Sequence, residues 1–332
     1  MPATIKDVAR AVGMSVATVS RALNGFENVL PETRERVLEA ARKLHYSPSG
    51  AARSMVLRRT DTIGALLPDL HGEFFSELIR GIDAAARSRG LHLLLSSSHG
   101  NADETAAAIR AMNGRVDGLL VMSPHVDADF LAQNVPPSLP AVLMNAGVSA
   151  SRHPVFAIDN YGGALAMTRH LLASGHRRIA FLGGPDENFE ARERQRGYVD
   201  GLGAAQPAQL LPGDFTEACA AATATRLAAM PAAERPDAIF AANDAMAVAL
   251  LAGFTAAGLR VPQDIAIAGF DDIPLARYVN PALTTMRVPI AQLGSQALDA
   301  LTRQIEAGAD AAPQPEVLMP VELVVRQSCG AR

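Results

Sequence analysis

From Asp61 onward the chain repeats one pattern: a short, uninterrupted apolar run followed by a stretch with helical spacing. Ile63-Gly64-Ala65-Leu66-Leu67, Leu91-His92-Leu93-Leu94-Leu95 and Gly118-Leu119-Leu120-Val121-Met122 are such runs, separated by helical segments near Phe75–Arg89 and Ala102–Met112. A strand that is apolar at nearly every position has both faces buried, so its sheet is covered on both sides by the intervening helices. The pattern resumes after Asp159 with Arg178-Ile179-Ala180-Phe181-Leu182, Ala238-Ile239-Phe240-Ala241 and Ile265-Ala266-Ile267-Ala268. The spacing therefore predicts an α/β body of two doubly wound lobes. In open parallel sheets the ligand crevice lies beyond the carboxyl ends of the strands, and Asp159, Asn243 and Asp271 all follow apolar runs.

The first sixty residues read differently. Thr4-Ile5-Lys6-Asp7 has the form of a capping box, so a helix is expected to begin at Ile5, with Ile5, Val8, Ala9 and Val12 on one face. Gly13 supplies a left-handed exit, Ser15 recaps, and a second helix is expected over Val16 to Leu23, stopped by Asn24-Gly25. A third helix is expected from Pro31 to about Leu44, its Val37, Leu38, Ala41 and Leu44 closing a small core. The first two helices form a helix-turn-helix in outline, a pattern that would also serve as a piece of any helical bundle. If the unit reads DNA, Val16, Ala17 and Arg21 at the start of the second helix enter the major groove, Arg21 as a two-bond donor to guanine. Thr18, Ser20 and Asn24 suit phosphates, which position without reading sequence.

Charge agrees with that division. Residues 1–60 hold ten Lys/Arg against five acids, a balance of +5, which leaves −9 for the rest of a chain whose net charge is −4. A basic head on an acidic body binds phosphate backbone locally. Cys219 and Cys329 lie far apart with no C-x-x-C pair, so neither a disulfide framework nor a zinc site is expected. No cofactor and no metal are expected. The N-terminus lacks the apolar core of a signal peptide and no apolar run is long enough to span a bilayer, so a cytoplasmic protein with no membrane partner is expected.

The run Thr4-Ile5-Lys6-Asp7-Val8-Ala9 to Gly13-Met14-Ser15-Val16-Ala17-Thr18-Val19-Ser20-Arg21-Ala22-Leu23-Asn24 resembles the head of the LacI/GalR family of transcriptional regulators. So do Pro31-Glu32-Thr33-Arg34-Glu35-Arg36-Val37, Tyr46-Ser47-Pro48, Gly258-Leu259-Arg260-Val261-Pro262-Gln263-Asp264 and Gly269-Phe270-Asp271-Asp272, so the resemblance covers essentially the whole chain. It implies a DNA-binding head over 1–47, a hinge helix and linker over 48–60, and a periplasmic-binding-protein-like body over 61–332. The first lobe is expected at about 61–159 and 290–317, the second at about 160–289 and 318–332. The hinge helix, Ser49 to Val56, would order on operator DNA and enter the minor groove. Met55 stands where the family usually has a leucine that wedges between base pairs, and reads otherwise as a linker methionine. Gly50 weakens the isolated hinge helix by roughly 1 kcal/mol relative to alanine. Thr4, Ser15, Tyr46 and Ala52 complete the candidate DNA-contacting set. Leu30, where the family often caps the third helix with serine, offers no side-chain acceptor.

For the body the resemblance implies an effector held between the lobes. Arg194, three residues before Gly197, matches an effector-binding arginine, Phe215 a stacking aromatic, and Phe74 and Phe75 first-lobe wall residues. With Asp159, Asn243 and Asp271 these would suit a polyhydroxylated ligand, because carboxylates accept hydroxyl protons and rings cover apolar sugar faces. Asn188 and Glu190 stand where a purine-responsive relative has other polar residues, which favours a sugar over a purine. For each polar residue the competing reading is a helix cap or a hydrogen bond within one lobe. The expected function is thus a repressor of carbohydrate genes, dimeric on a palindromic operator and released by a sugar. A purine or other small-molecule corepressor is the alternative, since the sequence allows either sign of response. The chain's end after Val324-Val325-Arg326-Gln327-Ser328 carries no heptads, so a homodimer rather than a tetramer is expected. An enzyme is disfavoured: Gly183-Gly184-Pro185 is neither a dinucleotide fingerprint nor a phosphate loop, no G-x-S-x-G occurs, and the eight histidines lack metal spacing. A transport binding protein is disfavoured by the fused head and the missing signal peptide.

Overall fold

The computed structural model describes residues 3–24, 26, 28–47, 59–145, 152–204, 206–308 and 316–330. The chain forms two units, Met1–Asp61 and Thr62–Arg332. The expected hinge helix, with Gly50, Ala52 and Met55, lies outside the described residues.

The head holds three helices, α1 (Ile5–Val12), α2 (Val16–Leu23) and α3 (Pro31–Lys43). Asp7 reaches back to accept the Thr4 N–H at 3.0 Å, and the Thr4 hydroxyl donates to the same carboxylate oxygen at 2.7 Å. Gly13 exits α1 at φ 66°, a conformation that costs glycine nothing. Ser15 then accepts the Thr18 N–H at 3.1 Å and starts α2. Val8, Val19 and Val37, one from each helix, are wholly buried against Ala9, Ala22 and Ala41, with Val29 from the loop before α3. Leu38 and Leu44, expected in this core, are exposed instead. Val37 and Ala41, four residues apart, already fill the inward face of α3, and Leu38 and Leu44 fall to its side. Leu30 starts α3 with no side-chain cap bond.

The body contains two six-stranded sheets. The first runs β11-β5-β4-β3-β1-β2, from β1 (Thr62–Leu67), β2 (His92–Ser97), β3 (Gly118–Met122), β4 (Ala141–Met144), β5 (Val155–Ile158) and β11 (Val317–Met319), every pair parallel. The second runs β12-β10-β9-β8-β6-β7, from β6 (Ile179–Leu182), β7 (Gln209–Leu211), β8 (Ala238–Ala241), β9 (Ala266–Asp271), β10 (Thr284–Arg287) and β12 (Glu322–Val324). Only its edge pair, β10 with β12, is antiparallel. The central strands are buried at nearly every position, as their apolar runs require.

Helices α4 (Glu73–Ser88), α5 (Ala102–Met112), α6 (Ala128–Asn134) and α11 (Ile290–Ala307) belong to the first lobe. Helices α7 (Asn160–Ala173), α8 (Phe189–Leu202), α9 (Glu217–Ala228) and α10 (Asp244–Ala256) belong to the second. The chain crosses between lobes three times: after β5, between β10 and α11, and between Met319 and Glu322. The last crossing comes after Met319 rather than at 317, because Val317–Met319 pairs in register with Phe156–Ile158 of the first sheet. Among the described residues no helix is long and apolar enough to cross a membrane, and no group of three or more His, Cys, Asp or Glu could hold a metal ion.

Candidate functional site

The carboxyl ends of both sheets face a cleft of about 550 Å³. Phe74 and Phe75, at the start of α4, form its first-lobe wall, their rings edge to face at 5.4 Å. Phe215, in the loop between β7 and α9, stands on the second-lobe side. Asn188, Glu190, Arg194, Asn243 and Asp271 complete the expected set that lines the cleft.

Arg194 organises the floor. It projects from α8 and is 3% exposed, so each of its donors needs a partner. Its Nε donates to Asn160 Oδ1 at 2.8 Å and its Nη1 to the Ala242 carbonyl at 2.5 Å. Nη1 also lies 3.4 Å from Asp271 Oδ1, Nη2 lies 3.9 Å from Glu190 Oε1, and the guanidinium sits 4.0 Å above the Phe270 ring. Asp271 ends β9 and is 5% exposed, and its Oδ1 has no hydrogen-bond partner among the described residues. Burial pushes its carboxyl up to about 7, against the opposing pull of Arg194 and with the added push of Glu190. Glu190 is also raised by burial, partly offset by Arg194. Asp244, at the start of α10, is raised well above the usual carboxylate range by burial and by the Asp271 charge.

Two cleft residues are held at backbone angles that side chains rarely adopt: Phe215 at φ 69° and Asp271 at φ 122°. Such conformations cost of order 1–3 kcal/mol each and persist where the surroundings impose them. For Phe215 the surroundings include Asn243, whose Nδ2 donates to the Phe215 carbonyl at 3.1 Å while its Oδ1 accepts the Met246 N–H at 2.9 Å and caps α10. Asn188 likewise caps α8, accepting the Ala191 N–H at 3.0 Å, and still borders the cleft.

Asp159 does not line the cleft. It caps α7, accepting the Gly162 N–H at 2.8 Å, and its own N–H donates to the Met319 carbonyl at 3.0 Å. The expected effector contact is therefore corrected to a helix cap at an interlobe crossing.

Sequence reasoning missed two asparagines that support the floor. Asn160 takes the Arg194 Nε, and Asn145, at the end of β4, donates across the lobes to Glu190 Oε1 at 2.7 Å while accepting the Ile158 N–H at 3.1 Å. Their signal was positional: each closely follows a strand, Ala141–Met144 or Val155–Ile158, whose four residues carry little pattern of their own. A second interlobe bond, the Leu275 N–H to Glu73 Oε2 at 2.9 Å, went unforeseen. So did the histidines at the rim, His71, His99 and His125.

In the head, Val16, Ala17 and Arg21 are exposed along α2, Val16 at 41%, and the Arg21 side chain makes no hydrogen bond or ion pair with described residues. Thr18 and Ser15 share a hydroxyl contact at 2.9 Å, Asn24 donates to Ser20 at 3.4 Å, and Tyr46 packs against the small core.

A basic three-helix head joined to a two-lobed α/β body with a ligand-sized cleft defines a ligand-sensing regulator. The chain belongs to the lacI family of bacterial regulatory proteins, whose model matches residues 4–49, while a periplasmic binding protein-like domain matches residues 168–329. It is similar to an HTH-type transcriptional repressor PurR from Photobacterium profundum, 37% identical over 333 residues and covering 98% of each chain. The structure of the lac repressor dimer bound to operator and the anti-inducer ONPF matches at a TM-score of 0.85 with 28% identity, covering 99% of both chains. A complex of the transcriptional regulator CelR with cellobiose matches at 0.71 with 30% identity, covering 98% of this chain and 99% of that one.

Proposed function

We propose that this protein is a cytoplasmic, dimeric repressor that binds a palindromic operator through α2 and whose DNA affinity is set by a purine base held between the lobes. The observation that carries the effector assignment is the cleft itself. Phe74 and Phe75 on one side and Phe215 on the other offer rings to a flat ligand, and Asp271 Oδ1 is a buried acceptor suited to an N–H. The PurR relative, matching along the whole length, supports the same class and moves the reading from sugar to purine. Asn188 and Glu190, which from sequence disfavoured a purine, carry less weight in the folded chain. Asn188 is engaged as a helix cap and Glu190 receives the Asn145 amide, so their identity reflects local structure at least as much as ligand chemistry.

A neutral sugar is the second reading, favoured by the cellobiose complex of the similar CelR. Binding sites enriched from a random duplex pool give the operator, and its titration with hypoxanthine, guanine and cellobiose separates the two. A purine that changes operator affinity, with cellobiose silent, supports the proposal; cellobiose active with both purines silent refutes the purine assignment. The sign of the change distinguishes corepressor from inducer. Failure to enrich any duplex would refute operator binding itself.

A further inference from the structure

The floor of the cleft holds more buried acid than buried base. Glu190, Asp244 and Asp271 are all buried, and Arg194 pairs with two of them, Glu190 and Asp271. Arg194 brings one positive charge against three carboxyls, and its Nε and Nη1 donate hydrogen bonds to the neutral Asn160 amide and the Ala242 carbonyl. Asp244 is supplied by the Thr285 hydroxyl at 2.6 Å and the Ile273 N–H at 3.0 Å, and Glu190 by Asn145 at 2.7 Å. Asp271 Oδ1 makes no hydrogen bond among the described residues, its nearest cationic nitrogen being Arg194 Nη1 at 3.4 Å, already committed to the Ala242 carbonyl.

The remaining charges around the group do not supply one. Next to Asp271 on the chain, Asp272 is taken by Arg287 at 2.8 Å and by Arg326. The first lobe brings His71, His99 and His125 to the rim, but with them come Asp69 and Glu73. On the second-lobe side the rim adds Asp214 and Glu217. Like-charged carboxyls this close resist full ionisation, so the ligand-free cluster retains a proton near neutrality, in keeping with the raised Asp244 and Asp271.

We infer that the cleft selects an uncharged or cationic ligand bearing an N–H or O–H donor, rejects phosphorylated or carboxylated counterparts, and releases a proton from the Asp244–Asp271–Glu190 cluster on binding. This rests on the cleft being the effector site, whichever neutral ligand fills it. The ligand's donor on Asp271 Oδ1 favours the ionised form, and the displaced proton passes to solvent; no covalent bond changes. An anionic group would add to a surplus of acid at both floor and rim.

Two measurements on the full-length protein test it. The first measures hypoxanthine, then compares inosine with inosine 5′-monophosphate and ribose with ribose 5-phosphate, by calorimetry at neutral pH in phosphate and in Tris. The neutral member of a pair should bind at least about tenfold tighter, with the difference in heat between buffers reporting proton release. An anionic member binding as tightly as its neutral partner, or binding with no proton release, overturns the inference. Ribose binding with proton release while hypoxanthine is silent would sink the purine assignment and leave this inference standing. The second measurement follows carboxyl resonances of aspartate-labelled, ligand-free protein against pH, with Asp271→Asn for assignment. A midpoint near neutrality that the variant abolishes supports the cluster. Titration confined below about pH 5 overturns it even if no probe binds.

Discussion

Replacing Asp271 with asparagine should stabilise the body at alkaline pH and leave the acid-side stability nearly unchanged. The carboxyl sits at about 7 in the folded chain against an ordinary 3.8. Between those values the native state holds a proton that the unfolded chain has given up, so wild-type stability falls as pH rises from about 4 to about 7 and then levels. At about 1.36 kcal/mol per pH unit the loss attributable to this group is at most about 4 to 4.5 kcal/mol, a ceiling for a buried carboxyl coupled to Asp244 and Glu190. The amide of the Asp271→Asn variant has no such proton to lose, and its presence also relieves Asp244, so the two stability curves should diverge with pH. With a urea slope of about 3 kcal/mol/M, the midpoints should separate by about 1 M at pH 8 and converge near pH 4. The chain has no tryptophan and four tyrosines, of which Tyr161, Tyr198 and Tyr278 lie in the body. Near-ultraviolet tyrosine dichroism during urea unfolding therefore reads mainly the body. Wild-type and variant curves that stay parallel between pH 4 and pH 8 would show that the buried carboxyl is not raised.

Asp159→Ala removes a cap and should lower body stability by about 1 kcal/mol with ligand affinity unchanged; a large affinity loss in calorimetry would restore Asp159 as an effector contact. Gly184→Ala places a Cβ 2.5 Å from Phe215 Cζ, so the ring must swing. Ligand binding should weaken about tenfold or more, while operator binding without ligand is preserved. Arg21→Ala, which breaks no bond among the described residues, should cost about 1–3 kcal/mol of operator affinity and relax the preference at one base pair. An unchanged enriched site in the variant would place the reading contact elsewhere on α2.

The regular parts of this chain were legible because each carried a complete local signal. In the head, Ser15, Gly13 and the Thr4–Asp7 pair mark helix ends that tolerate few alternatives, and α1 and α2 begin and end where those residues put them. Central strands such as Gly118–Met122 and Ala238–Ala241 announce themselves by unbroken apolarity. Edge strands do not: Gln209–Leu211 and Glu322–Val324 are three residues long and half solvated, so their composition is that of a loop. The third-helix core is misread from sequence because four apolar residues compete for a face that Val37 and Ala41 fill with the loop residue Val29. Asn145 was invisible for a different reason, since its role depends on Glu190, forty-five residues away in the other lobe.

The contrast between Asp159 and Asp271 shows what decides the fate of an acid at the end of a strand. Both follow apolar runs at the carboxyl edge of a sheet, where a ligand is expected. After Asp159 a helix begins at the next residue, and its first turn presents free N–H groups, of which the carboxylate accepts that of Gly162. After Asp271 no α-helix begins; Asp272, at φ 54°, and Ile273 lead into a short 3₁₀ turn at Pro274, and the Ile273 N–H goes to Asp244 instead. The Asp271 carboxylate thus gains no N–H from a helix of its own, and Arg194 and the backbone at the start of α10 only partly offset its burial. Proline two residues beyond the second acid is the local sign of this, because it delays the helix and removes a donor at once. Asn243, followed immediately by α10, obeys the first rule and is a cap that also holds Phe215 in place. Moving the helix start, rather than the acid, should therefore convert one kind of residue into the other.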